Sequence, residues 1–308
     1  MKKSKELRHE LKKEHKKEKE LEKQKRKEEH EIEKDQAVQK KIALINDLSG
    51  FGRCSLTVSL PIISALKVEC AVLPTCILSN HTAYPSYFIH DCTEYMNSWM
   101  DEWKKLDLHF DGIYTGFLGS ARQIDEVIRF LDLFRKEDTL LIVDPVMGDH
   151  GKIYPTYTDE MCDRMKELAV RADILTPNLT EACRLLDKEY SDHFTMDELE
   201  QIGKDLLALG VRKAVITGIQ KDGDVLDLVF EQDQPMTVHA KKEISPSRHG
   251  TGDVFASIVA AKAVRHEDFV QSVKDASAFV RRCLKVSKKL HVPSEEGVAF
   301  EELLTELR

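Results

Sequence analysis

The chain has 308 residues, 42% of them hydrophobic, enough for one large buried core. Its formal net charge of -8 is uneven: residues 1–41 hold 16 Lys+Arg against 11 Asp+Glu, which leaves 30 basic and 43 acidic residues in the remainder. An acidic body argues against nucleic acid as the main partner, since phosphate contacts dominate that affinity, and no apolar run approaches the roughly 20 residues that cross a bilayer.

Residues 1–40 are dominated by Lys and Glu, with Leu7, Leu11, Leu21, Ile32, Ala37 and Val38 the only apolar interruptions after Met1. Leu7 and Leu11 lie one turn apart but no heptad seam continues from them, so a coiled coil is poorly supported. The segment reads as a charged extension, helical or disordered, and any nucleic-acid contact falls to it. It carries no apolar core of a secretion signal. The seven cysteines are odd in number, scattered and never spaced as CxxC, which suits free thiols in a reducing compartment. A cytoplasmic protein is expected.

From residue 41 to 308, short apolar runs alternate with amphipathic segments of ten or more residues and no Gly/Pro/Ser linker intervenes. This is the pattern of a single α/β domain with a central, mostly parallel sheet flanked by helices. Strands are expected at residues 42–45, 69–73, 112–115, 140–143, 174–175 and 213–217, and an antiparallel pair at 224–230 and 235–241. Helices fit residues 120–134, 159–171, 180–186 and 196–209.

Polar residues collect at the strand exits, where a ligand lies in an open α/β sheet. Residues 46–52 (NDLSGFG) leave the first strand as a loop able to fold over a small ligand, bringing Asp47 and Ser49. Residues 79–84 (SNHTAY) supply donors, acceptors and a ring through His81, Thr82 and Tyr84, a mixture better suited to an aromatic, heteroatom-bearing compound than to a sugar. Residues 144–149 (DPVMGD) place Asp144 and Asp149 at one strand exit, and residues 176–181 (TPNLTE) place Asn178 and Glu181 at the next. Asp144 and Glu181 suit Mg²⁺ held largely through water, because that ion gives up its hydration reluctantly. Thr217 and Gly218 offer a hydroxyl and close backbone approach to a nucleotide phosphate. Finally, Gly250, Thr251, Gly252 and Asp253 run straight into an apolar helix. The unpaired N–H groups at such a start attract anionic oxygens, and Asp253 beside them can accept the proton of an attacking hydroxyl.

Residues 79–84 (SNHTAY), 114–120 (YTGFLGS), 144–154 (DPVMGDHGKIY), 176–182 (TPNLTEA), 215–218 (VITG), 250–257 (GTGDVFAS) and 295–301 (EEGVAFE), in this order and spacing, resemble the pyridoxal/pyridoxamine kinases of the ribokinase superfamily. The resemblance covers about residues 41–303. It implies a ribokinase-like fold, ATP and Mg²⁺ as cosubstrates, phosphorylation of the 5′-hydroxyl of B6 vitamers, commonly a homodimer, and sometimes activation by a monovalent cation such as K⁺. By position, Asp253 resembles the base and Gly250 to Gly252 the anion hole. Asp144 and Glu181 resemble the metal-site acids. Asn178 and Thr217 resemble phosphate contacts, and Thr82, Tyr84 and Tyr114 fall where the family surrounds the pyridine ring. Residues 149–157 resemble a flap near the nucleotide. Two features depart from the pattern: the charged extension, and Asp47, which stands where many members have a serine. Hydroxymethylpyrimidine kinase of the same superfamily is the nearest alternative, and a catalytically retired scaffold is a more distant one.

Overall fold

The structure, a computed structural model, describes residues 39–244 and 248–307. The charged extension, expected to be helical or disordered, lies outside the described residues apart from its last two positions.

Eleven strands are numbered in chain order: β1 Lys41–Ser49, β2 Glu69–Leu78, β3 Ile89–Asp91, β4 Gly112–Thr115, β5 Leu140–Val143, β6 Gly148–Asp149, β7 Lys152–Ile153, β8 Ile174–Leu175, β9 Lys213–Lys221, β10 Asp224–Glu231 and β11 Thr237–Lys242. Nine of them form one sheet in the order β11-β10-β9-β8-β5-β4-β1-β2-β3, and β6 pairs with β7 as a separate hairpin. From β9 to β2 every neighbour is parallel, whereas β10, β11 and β3 add antiparallel edges. The parallel strands are apolar on both faces, as GIYT and LLIV show, because helices cover both sides.

Along β1 the side chains alternate. Ala43 and Ile45 enter one core with Ile113, Phe130 and Leu141, while Ile42 and Leu44 enter the other with Tyr114, Ile142 and Ile258. The second core is covered by α1 (Leu56–Ala65), α7 (Thr251–Val264) and α8 (Phe269–Lys289), and the first by α2 (Thr93–Lys105), α3 (Ala121–Phe134), α4 (Asp159–Ala169), α5 (Leu179–Leu185) and α6 (Met196–Ala208). Helix α7 is apolar nearly all round, with nine of its residues buried, as befits a helix enclosed by sheet and neighbours.

The fold matches the expected α/β class and differs in extent. β1, β2 and β9 run four or more residues past their apolar runs, because ladder hydrogen bonds are indifferent to side-chain polarity. Asn46 to Ser49 therefore belong to β1, not to a loop, and the β1–β2 register shifts between Asn46 and Leu48. The sequence reading assigns no element to α1, α2 or α8; in α1, LTVSLPIISA combines β-branched residues with Pro61 and so lacks a helical stripe. All seven cysteines are free, and no helix among the described residues is long and apolar enough to cross a membrane.

Candidate active site

A cavity of about 600 Å³ opens at the carboxyl ends of the parallel strands, a volume suited to small-molecule ligands. Asp47 and Ser49 reach it from β1, Asp144 from the exit of β5, Thr176 from that of β8, and Thr217 and Gly218 from β9. Its floor is the start of α7, where Gly250, Thr251, Gly252 and Asp253 all line the space.

That helix starts without a side-chain cap. Gly250 is its N-cap, at φ 78° in the left-handed region, and no side chain accepts from its first N–H groups. A Cβ at Gly250 would lie 2.0 Å from the Arg53 carbonyl oxygen, whereas one at Gly252 would meet nothing within 4 Å. The first turn thus presents its open N–H groups and positive dipole end to the cavity. Asp253 stands in that turn; burial pushes its carboxyl above the ordinary range, while the Ser55 backbone N–H and the Asn46 amide favour the charged form.

Three further acids share the space. Burial and the Asp253 charge hold Asp144 well above the usual carboxylate range. Glu181 is raised by burial and by Asp144, against backbone N–H groups that donate to it: Met147 N to Oε1 at 3.1 Å and Asn178 N to Oε2 at 2.9 Å. Asp47 is raised to about 6 by burial and by Asp253, with the Ser55 and Ser49 hydroxyls pulling the other way; Ser49 Oγ donates to its Oδ2 at 3.1 Å. Among the described residues no cluster of three or more His, Cys, Asp or Glu is arranged to enclose a metal. A cation here would take one or two protein carboxylates and complete its shell elsewhere, the donor set that suits Mg²⁺.

Asn178 lines the wall with its side chain engaged at both ends. Oδ1 accepts from Glu181 N at 3.0 Å in a capping box, and Nδ2 donates to Gly148 O at 2.8 Å at the base of the β6–β7 flap. The flap turns at His150 (φ 48°) and Gly151 (φ 73°), the left-handed pair that a two-residue hairpin requires. Its tip is tied down by Gly151 N donating to Thr180 Oγ1 at 2.8 Å. Asp149 and Tyr154 of this segment line the cavity. At the far wall, Asp227 accepts from Gly218 N at 3.1 Å and from Ser277 Oγ, with Lys241 and Arg281 nearby on the rim.

His81 and Thr82 line the opposite end. Burial lowers the pKa of His81, whose Nε2 lies 2.6 Å from Glu295 O, and that of His249, whose ring stacks 4.9 Å away. Two expected ring contacts are not in the cavity. Tyr84 packs behind His81 at 4.7 Å and against Phe51 at 5.8 Å, because the 79–84 loop turns Thr82 inward and the next ring outward. Tyr114 is 1% exposed and buried under α7 beside the Ser59 and Ser257 hydroxyls, because strand alternation sends it to the face of the second core. Ser55, Asp227, Lys241, His249 and Ser277 also line the cavity and lie outside the site residues that the sequence indicates. Of these only His249, adjoining Gly250, carried a usable signal; Asp227 and Ser277 meet across 50 residues.

Two consequences are measurable without ligands. Gly250→Ala forces a Cβ into the Arg53 carbonyl at positive φ and should lower the melting temperature, whereas Gly252→Ala should leave it equal or raised by the better helix propensity; equal melts for both variants would refute the turn geometry. Asp47 is protonated more readily in the folded protein, near 6, than at its ordinary 3.8. The folded state therefore binds more protons than the unfolded chain between those values, and the Asp47 contribution to stability falls as pH rises through the window. Asp47→Asn should stabilise the protein at about pH 7.5, by up to about 3 kcal/mol, and the gain should vanish near about pH 4; urea midpoints showing the same gain at both would contradict this.

The phosphomethylpyrimidine kinase family matches residues 60–298. The thiamine biosynthetic bifunctional enzyme of Arabidopsis thaliana is 27% identical over 85% of this chain, which spans about half (49%) of that longer protein. The pyridoxine/pyridoxal/pyridoxamine kinase of Bordetella avium is 29% identical over 77% of this chain and 82% of its own length. Among solved structures, a Bacteroides thetaiotaomicron protein described as a phosphomethylpyrimidine kinase and crystallised with pyridoxal superposes with a TM-score of 0.85 at 35% identity, covering 88% of this chain and 96% of that one. With its ribokinase-like fold and a match over most of its length, the chain belongs to the phosphomethylpyrimidine kinase family, whose members include both hydroxymethylpyrimidine and pyridoxal kinases.

Proposed function

We propose that this kinase transfers the γ-phosphoryl group of ATP to the 5′-hydroxyl of a B6 vitamer, pyridoxal, pyridoxamine or pyridoxine. The observation that carries the reading is the uncapped start of α7, with Asp253 in its first turn, at the floor of the large cavity. Asp253 takes the proton of the attacking hydroxyl, that oxygen bonds to the γ-phosphorus, and the bond to the β,γ-bridging oxygen breaks to leave ADP. The N–H groups of the first turn of α7 receive the charge of the transferring group. The triphosphate lies along Thr217, Gly218 and the flap residue Asp149, and Asn178 fixes the flap base to the wall. Asp144 and Glu181 would hold Mg²⁺, partly through water, and the ion would supply charge neutralisation to the phosphates. The polar end around His81, Thr82 and Asp47 takes the heteroaromatic ring, in keeping with the Bordetella avium relative named for B6 vitamers and with the Bacteroides structure crystallised with pyridoxal.

Hydroxymethylpyrimidine is the second reading, favoured by the description of the matching family. A panel of the three B6 vitamers and hydroxymethylpyrimidine with MgATP separates the two. Asp253→Asn should lower kcat by about 10²- to 10⁴-fold, the typical contribution of general base catalysis, while ATP affinity measured by calorimetry changes little. Wild-type kcat in the variant would refute the role of Asp253, and turnover of the pyrimidine alone would refute the B6 reading.

We also propose a homodimer across the β3 edge. Its three residues are exposed, and Ile77, Phe88, Ile89, Tyr95 and Trp99 leave apolar surface beside it, a combination that soluble monomers avoid. Light scattering should give twice the monomer mass for the wild type and the monomer mass for Phe88→Asp; a monomeric wild type would refute the dimer.

A further inference from the structure

Asp47 departs from the resemblance at a buried position facing the cavity. It is 4% exposed, and the groups that favour its charged form are neutral ones, among them the hydroxyls of Ser55 and of Ser49, the latter at 3.1 Å. Its own N–H is spent on Asn46 Oδ1 at 2.9 Å. Among the described residues no lysine or arginine pairs with it, and no cationic group is among those acting on it. A carboxylate in such a place is costly unless something of opposite charge meets it.

The position of Asp47 relative to Asp253 indicates what that something is. Ser55 lines the cavity with both acids, and its hydroxyl favours the charged form of Asp47 while its backbone N–H favours that of Asp253. It does so from a left-handed conformation, φ 52° and ψ -134°, at the N-cap of α1, where its hydroxyl caps nothing in the helix. Both carboxyls line the same cavity, and the charge of Asp253 acts directly on Asp47. A substrate whose hydroxymethyl oxygen reaches Asp253 must place an adjacent part of its ring beside Asp47. In the B6 vitamers the ring carbon next to the one bearing the reacting hydroxymethyl carries the only group by which they differ: an aldehyde, a second hydroxymethyl or an aminomethyl. In hydroxymethylpyrimidine the same neighbouring position carries an amino group.

We propose that Asp47 is a specificity residue that recognises an amine borne by the substituent at the ring position beside the reacting hydroxymethyl, so that aminated acceptors, pyridoxamine among the B6 vitamers, are preferred over the aldehyde and the alcohol. This rests on the kinase reading given above. The amine supplies the missing counter-charge, and Ser49 fixes the carboxylate orientation from the other side. An aldehyde offers no donor and leaves the acid unpaired, whereas an alcohol offers one neutral donor. A hydrogen bond between charged partners outweighs a neutral one by enough to change selectivity about tenfold or more.

The test is the ranking of kcat/KM for pyridoxamine, pyridoxine and pyridoxal with MgATP, in the wild type and in Asp47→Asn and Asp47→Ser. Wild-type protein should prefer pyridoxamine over pyridoxal by about tenfold or more, and both variants should reduce the pyridoxamine-to-pyridoxal ratio by a similar factor. The wild-type ranking is informative even if a variant folds poorly. A wild type that prefers pyridoxal, or variants that slow all three vitamers equally, would overturn the assignment of Asp47 and leave the kinase reading standing. No turnover of any vitamer by the wild type would overturn both.

Discussion

Everything at the floor of the cavity depends on one close approach, that of Gly250 to the carbonyl of Arg53, where no side chain fits. This contact sets the start of α7 against the end of the β1–α1 connection, so the open N–H groups and Asp253 face the strand exits instead of solvent. Arg53 also fastens the C-terminal segment: its N–H donates to Glu296 O at 3.2 Å, its Nε pairs with Glu301 at 2.6 Å, and Gly297 at φ 81° packs on its backbone. Val298 N in turn donates to His249 O at 3.2 Å. Segments near residues 53, 250 and 297 therefore form one knot. The GTGD turn and the distant EEGVAFE segment are thereby fastened to each other, through Arg53 and through the bond from Val298 N to His249 O.

The second constraint is electrostatic. Asp47, Asp144, Glu181 and Asp253 all reach one cavity, and burial raises each of them above its ordinary range. Removing this many acids from water disfavours the folded protein unless cations or protons arrive. The cost falls on the empty site and is relieved by occupancy, so ligand binding and stability are linked in the same residues. The acids are also differentiated by their partners. Glu181 is held by two backbone N–H groups, Asp253 by the Ser55 N–H and the Asn46 amide, and Asp47 by the Ser55 and Ser49 hydroxyls and its own N–H.

Much of this was legible in the chain. Short apolar runs located the parallel strands because both faces of those strands are covered, and the Gly-Thr-Gly-Asp turn marked the floor because its glycines answer to backbone geometry that few other residues satisfy. Two tyrosines were misplaced for reasons that a linear pattern hides. Tyr114 lies on a strand whose alternation sends it under α7, one position before the strand ends at Thr115. Tyr84 lies two residues past Thr82 in an irregular loop, where no period connects neighbouring side chains. Asp227, Ser277 and Ser55 escaped notice because their significance is a contact between segments far apart in sequence, and a lone Asp or Ser on a strand or helix carries no local signal.

The capping box of α5 shows how a stability device and a functional one can be the same atoms. Asn178 and Glu181 satisfy each other's backbone N–H groups at the start of the helix, as such boxes do anywhere. Here the Asn178 amide also holds the flap at Gly148, and Glu181 also accepts from Met147, the residue that leads into that flap. Glu181 is thereby fixed in orientation with part of its oxygen surface spent, leaving it able to contribute little more than one further contact to a cation. An acid so restrained suits a hydrated ion better than a fully enclosed one, and its position cannot shift without loosening both the helix start and the flap. The same geometry that holds the start of α5 therefore links the Glu181 wall of the cavity to the β6–β7 hairpin.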